Sequence, residues 1–310
     1  MSLRRVYLLL AVCAGLFVSM RGNAQNPAKG WSFDAGVGGG YAVLGYKTVS
    51  DDMLRARATG SYGIHAHIGV NYFFLDWLGV GIGADFTRYG GNIHVDGTMG
   101  WQDVTDTDGE KYNHTLAIHA WKEQQQELYL APQFLIHAAI PAQRVRVLIS
   151  AGVEYAFCLS SSYSAAGTLT HTGYYPFGNL TLHDLPKYGF YTTNALRPSG
   201  KQDANVQQLA VVGKVGVAIP VARHLDITAN LIAKYAVYCP QTIAREEAPL
   251  GFYENKVPNA DSHYFIPAYA PLTTTSLTTG VSTPFYVGLE IGVRYTIPQR
   301  KRYPCMCIEN

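Results

Sequence analysis

The sequence predicts an all-β fold: an eight-stranded antiparallel up-and-down transmembrane β-barrel with long extracellular loops and short periplasmic turns. Three observations lead there. From about residue 31 to residue 297, eight stretches alternate apolar and polar residues, as in strands whose successive side chains point to opposite faces. The connections alternate between very short turns and long polar loops, the asymmetry of outer-membrane barrels. Almost no other segment could supply a core for the apolar faces, which leaves those faces to lipid.

The chain begins with a secretory pattern. Arg4 and Arg5 precede an apolar run from Val6 to Met20, and Gly22-Asn23-Ala24 offers small residues before Gln25. This predicts a cleaved signal peptide over residues 1–24, a barrel over 25–298 and a short periplasmic tail over 299–310. No later stretch is long and apolar enough for a membrane helix. A net charge of +2 with 15% charged residues argues against nucleic acid as a partner. A mean hydropathy of +0.00 fits strands that average a greasy face and a wet one.

The strands follow in order. Strand one, from Trp31 to about Val43, turns Trp31, Phe33, Ala35, Val37 and Tyr41 outward, and Asp34 and several glycines inward. Strand two, Tyr62 to Phe74, places Ile64, Ile68, Val70 and Tyr72 outside and His65, His67 and Asn71 inside. Asp76-Trp77 forms a tight turn into strand three, Leu78 to about Tyr89, with Phe86 outward and Asp85 inward. Strand four, Glu127 to Ile140, carries Pro132, which removes a ladder donor and predicts a local bulge. Pro141-Ala142-Gln143 turns into strand five, Arg144 to Cys158, with Arg146, Ser150 and Glu154 inward. Strand six, about Val206 to Ile219, carries Lys214, and Pro220 to Arg223 make the third turn. In strand seven, Leu225 to Tyr235, Asp226 and Lys234 share the polar face. Strand eight, Phe285 to Ile297, has Glu290 and Arg294 inward. The long loops are roughly residues 44–60, 90–126, 159–205 and 240–284. Aromatics cluster toward both predicted membrane interfaces, where amphipathic rings are favoured.

Repeats such as Gly79-Val80-Gly81-Ile82-Gly83-Ala84-Asp85-Phe86 and Val287-Gly288-Leu289-Glu290-Ile291-Gly292-Val293-Arg294-Tyr295 resemble the small outer-membrane barrels of the OmpA/OmpX-like type, and the barrel domains common in Bacteroidetes. The resemblance covers nearly all of the mature chain. It implies a cell outer-membrane location, with both termini periplasmic, and architecture rather than activity. It stops short of the peptidoglycan-binding domain that OmpA-type proteins often carry, for which the stretch after Ile297 leaves no room.

The inward charges are Asp34, Asp85, Glu154, Asp226 and Glu290 against Arg146, Lys214, Lys234 and Arg294. An eight-stranded barrel is just wide enough for side chains to fill, and buried charges persist when paired. They are expected to form a polar plug, with Asp34 and Arg294 paired where the barrel closes. His65, His67 and His137 read as hydrogen-bonded lumen histidines, because a zinc site would want a third ligand at matching depth. Cys158 and Cys239 sit on strands that are not neighbours and are not expected to pair; Cys305 and Cys307 lack redox or zinc spacing.

No outward histidine lies beside a serine, and the loop histidines His119, His171, His183 and His263 show no catalytic spacing, so no enzyme activity, metal or cofactor is expected. The loops carry the recognition candidates: Tyr174, Tyr175, Tyr264, Phe265 and Tyr269, aromatics that give contact area at low entropy cost. The sequence thus reads as a surface-exposed porin-like protein, or an accessory subunit of a membrane complex. Its partners are outer-membrane lipid and a protein or glycan at the extracellular loops. The alternatives are a narrow pore or transporter for small solutes, and a lipid-modifying enzyme.

Overall fold

Eight strands close into a ring. The computed structural model describes residues 29–45, 53–106, 108–142, 144–185, 188–197, 199–202, 207–239 and 283–298. Its strands are β1 (Gly30–Val43), β2 (Leu54–Phe73), β3 (Leu78–Thr105), β4 (Lys111–Ala142), β5 (Val145–Tyr175), β6 (Leu180–Leu182), β7 (Thr192–Leu196), β8 (Ser199–Gln202), β9 (Gln207–Ala222), β10 (Leu225–Tyr238) and β11 (Phe285–Thr296). The ring runs β1-β2-β3-β4-β5-β9-β10-β11 and closes where β11 pairs with β1, every pairing antiparallel. The predicted leader, the tail with Cys305 and Cys307, and nearly all of the last long loop lie outside the described residues.

The wall sorts side chains by the two-residue period. Val37, Ile68, Ile82, Leu289 and Ile291 are each more than 60% exposed, whereas Asp85, Lys234 and Glu290 are at most 1% exposed. A water-soluble barrel would do the reverse. Hydrocarbon is the medium in which such an exterior is stable, because each exposed aliphatic chain in water forfeits about 1.5–3 kcal/mol of burial. Exposed rings mark both edges of the belt: Trp31, Phe33, Tyr72, Phe74, Trp77 and Tyr295 at the short-turn end, and Tyr41, Tyr62, Phe86, Tyr155, Phe157 and Tyr235 at the other.

Pro132 makes no bulge. It stays opposite Ala84 on β3, while the β4–β5 ladder skips Ala131 and Pro132 and resumes in the same register at Gln133 opposite Glu154. The missing N–H is absorbed as a gap in one ladder. The irregularity lies higher, where Leu128 opposes Ser160 and Tyr129 opposes Cys158, so that Leu159 is the extra residue.

Where they are described, three predicted loops are largely sheet. β2 continues down to Leu54 against β3, β3 and β4 run on as a hairpin to Thr105 and Lys111, and β5 reaches Tyr175. The upper half of β5, which has left β9, pairs instead with β8, β7 and β6. At a bulge in β4, Ala120 takes a φ of 49° and donates its N–H to Asp96 Oδ1 at 2.6 Å. The extra residue resets the parity, so Ile118 and Leu116 stay on the same inner face as Trp121. These three join Leu44, Leu54, Ile93, Val95 and Leu169 in an apolar cluster that is continuous with Tyr89, Tyr129, Ile232 and Tyr286 inside the ring. The interior is therefore polar at mid-height and mixed toward the loop end, where this apolar cluster stands beside the buried Glu123, Gln125 and Glu127; a polar plug is expected from the sequence.

Candidate functional site

The lumen site begins with two glycines. A Cβ at Gly36 would lie 3.0 Å from Glu290 Cδ and from His67 Cε1, and one at Gly38 would lie 2.8 Å from His65 Cδ2. Bare backbone on β1 gives the two imidazoles of β2 and the carboxylate of β11 room to meet.

Six of the nine charges form one connected chain through His65 and His67. Lys234 Nζ reaches Asp85 Oδ1 at 2.5 Å, Thr87 Oγ1 at 2.8 Å and Glu154 Oε2 at 3.2 Å. Asp85 Oδ2 lies 3.1 Å from His65 Nδ1, and His65 Nε2 lies 3.0 Å from Glu290 Oε2. The same Glu290 oxygen is 2.8 Å from His67 Nδ1 and 3.3 Å from Lys214 Nζ, while Asn230 donates to Oε1 at 2.7 Å. His67 Nε2 continues the chain to Asp34 Oδ2 at 2.5 Å, and Asn71 donates to the other Asp34 oxygen. Arg146 and Asp226 make a looser pair at 3.9 Å. Five carboxylates face four cations in this set. Both ring nitrogens of His67 face carboxylates.

The expected Asp34–Arg294 ion pair is not made. The two are register partners where the barrel closes, but His67 and Asn71 occupy the Asp34 carboxylate and the Arg294 guanidinium lies 5.6 Å from the Phe73 ring centroid. Sequence spacing gave the facing correctly; it could not show that β2 supplies nearer donors. His137 bonds Ser150 at 2.8 Å, deep in the lumen and away from any lipid-facing surface. Cys158 and Cys239 are both partly buried against the apolar cluster.

The sheet beyond the ring holds a second cluster. Tyr175 stacks on Tyr112 at 5.2 Å between centroids and donates its hydroxyl to Asp106 Oδ2 at 2.9 Å, so it is a structural ring more than a free contact. Tyr174 is exposed and donates to Asn179 at 3.1 Å. A cleft of about 720 Å3 lies between Asp103, Asp108 and Glu110 on one side and Phe177, Leu182 and Tyr188 on the other. Within the same sheet, on β5 and β4, His171 Nδ1 and His114 Nε2 lie 3.3 Å apart. Burial pushes both imidazoles down to about 4, and His171 adds to the effect on His114. His114 was missed in the sequence, although His114, Leu116 and Ile118 repeat with a strand's period and mark one buried face. His119 and His183 are exposed, and neither hydrogen-bonds a hydroxyl or thiol among the described residues. His263, Tyr264, Phe265 and Tyr269 lie outside those residues.

No family model matches the sequence, and no curated protein matches it at a significant level. Among solved structures, the chain is similar to Neisserial surface protein A, with 10% identity over 87% of this chain and 98% of that one and a TM-score of 0.32. It is also similar to the outer membrane protein OprG from Pseudomonas aeruginosa, with 12% identity over 89% and 100% and a TM-score of 0.36. A third is Ail, the attachment invasion locus protein of Yersinia pestis, with 10% identity over 86% and 99% and a TM-score of 0.28. At these identities and scores, the assignment of a closed barrel rests on the strand register of this chain itself.

Proposed function

We propose that this chain is a sealed outer-membrane barrel with an interaction role, and that its working surface is the sheet standing beyond the ring. The short turns and both termini face the periplasm, and the long connections face the outside. The observation that carries this reading is the filled lumen. Lys234, Asp85, Glu154, Glu290, Lys214 and the two histidines link seven strands through contacts of 2.5 to 3.3 Å when Asp34 is included, and Trp121, Tyr89 and Tyr129 roof them, each at most 1% exposed. A solute path would have to part buried ion pairs, which costs about 3–5 kcal/mol for each pair broken.

Function then moves to the rim, as on other rigid scaffolds whose loops do the recognising. The exposed rings Tyr174, Phe177 and Tyr188 suit a protein or glycan partner, in keeping with a surface protein or an accessory subunit of a membrane complex. No catalytic role is assigned to the His137–Ser150 pair, which has no access to lipid. The test is conductance in a planar bilayer. The reconstituted protein is expected to be silent; steady single-channel steps that change when Lys214 is replaced by Gln would overturn the sealed-lumen reading in favour of a pore.

A further inference from the structure

The outer wall just above the lipid belt separates charge by face. On β4, Glu123 and Glu127 turn inward and are buried, whereas Lys122, Gln124 and Gln126 turn outward and are exposed. The belt ends in a row where Ile64, Arg88, Leu128 and Ser160 are register partners across four strands. Above it the partners are neutral hydrogen-bonding groups, Gln126 with Ser162, then Asn92 with Gln124 and Ser164. Higher still, Arg57 opposes His94 and His94 opposes Lys122.

That last row sets two cations, Arg57 and Lys122, on either side of His94, about 10 Å apart across two strand spacings. Among the described residues, neither Arg57 nor Lys122 makes an ion pair. Below the hairpin tip, where Asp103, Asp106, Asp108 and Glu110 cluster, the single acid on this outward face of β2 to β5 among those residues is Asp96. It opposes Arg55 and accepts the Ala120 N–H. Lys201 on β8 adds a further cation opposite Ser162.

We propose that this face is a docking surface for the headgroup of a phosphorylated glycolipid of the outer leaflet. Arg57, Lys122 and Arg88 take the phosphates, and the amides and hydroxyls between them take the sugars. Guanidinium and ammonium groups form charge-assisted hydrogen bonds with phosphate oxygens. The neutral rows supply donors and acceptors that sugar hydroxyls need. Continuity with the belt argues for a lipid over a soluble polyanion: Arg88 stands one residue pair above the exposed ring of Phe86, so acyl chains lying on the wall bring their own headgroup to this height. The proposal rests on the reading that the loop end of the barrel faces outward from the membrane.

The experiment uses the full mature chain in two stages. First, wild type and R57Q/K122Q are inserted into phosphatidylcholine vesicles and checked for heat-dependent gel mobility. Failure of the wild type to insert would overturn the membrane reading, and the lipid site with it. Second, the detergent-solubilised proteins are offered a bis-phosphorylated lipid A-type glycolipid, its dephosphorylated form, or inorganic polyphosphate, and bound species are counted by native mass spectrometry. The wild type is expected to retain the phosphorylated lipid roughly tenfold better than the dephosphorylated one, the size expected for charged hydrogen bonds. R57Q/K122Q should lose that preference while inserting normally, and K122R should keep it. Equal retention of the two lipids, an unchanged preference in R57Q/K122Q, or polyphosphate binding without lipid preference would each overturn the proposal.

Discussion

Replacing Lys234 by Met tests the lumen network at its most connected point. Lys234 is 1% exposed, and its Nζ holds Asp85 Oδ1 at 2.5 Å and Glu154 Oε2 at 3.2 Å. Methionine keeps the stem and removes the charge, leaving two buried carboxylates on either side of the vacated ammonium. At a separation of roughly 5 Å and an effective dielectric near 20, they repel by about 3 kcal/mol. Uncompensated burial adds to this, so K234M is expected to destabilise the barrel by about 3–5 kcal/mol. The assay is reversible urea unfolding in lipid vesicles, followed by tryptophan fluorescence and by heat-dependent gel mobility. The companion variant K234M/D85N removes one of the stranded charges and should recover about half the loss; recovery without added charge separates electrostatics from packing. A loss below about 1 kcal/mol in K234M, the scale of an exposed surface pair, would refute the account of a dry, paired interior.

Two other perturbations probe the sheet beyond the ring. His114 and His171 have folded pKa values pushed down to about 4 from 6.5, so above pH 6.5 both rings are neutral in either state and their stabilisation is fully present. As pH falls from 6.5 toward 4, the unfolded segment takes up protons that the folded one refuses, and stability is lost by up to about 3 kcal/mol per ring. Hydrogen exchange near residues 114–118 and 169–173 should therefore accelerate at pH about 4.5 relative to the ring strands, and equal protection would count against the buried pair. Ala120 sits at a φ of 49°, a conformation that costs an L-residue about 1–2 kcal/mol. A120G should thus raise the thermal midpoint and A120V lower it; the opposite order would show that the bulge is not held at this backbone angle.

The barrel was legible because its strands meet two different media. On β10 the alternation from Leu225 to Tyr235 is clean, since one face meets hydrocarbon and the other a polar lumen, and the same holds for β11. The upper sheet was not legible for the converse reason. From Lys122 to Glu127 on β4, polar residues stand on both faces, outward toward water and inward toward buried acids and amides, so a strand there reads as a polar loop. The parity resets at Ala120 and Leu159 hid it further, because each breaks the two-residue count. In the lumen, the two-residue alternation of the sequence assigns a facing to each charged residue but says nothing of its partners. Lys234 on β10 meets Asp85 on β3 and Glu154 on β5, contacts across the barrel that depend on its shear.

Those cross-lumen contacts also bear on why the interior is charged at all. A one-residue slip between neighbouring strands turns every side chain of the slipped strand to the other face. For β10 that would carry Lys234 and Asp226 into hydrocarbon, and a basic residue at the bilayer midplane costs about 2–4 kcal/mol. An apolar interior would set no such penalty, because both faces of the strand would then be equally content in lipid. A two-residue slip preserves facing and escapes this control. It is opposed instead by geometry: Lys234 reaches strands that are not its neighbours, and Glu290 gathers Lys214, His65, His67 and Asn230 from β9, β2 and β10. Moving any one of these strands by two residues, about 6.6 Å along its axis, pulls its member out of hydrogen-bond range. Charge thus selects which face points inward, and pairing across the lumen selects the height of each strand. Together they leave one register in which the rim sheet is carried in a fixed orientation above the membrane.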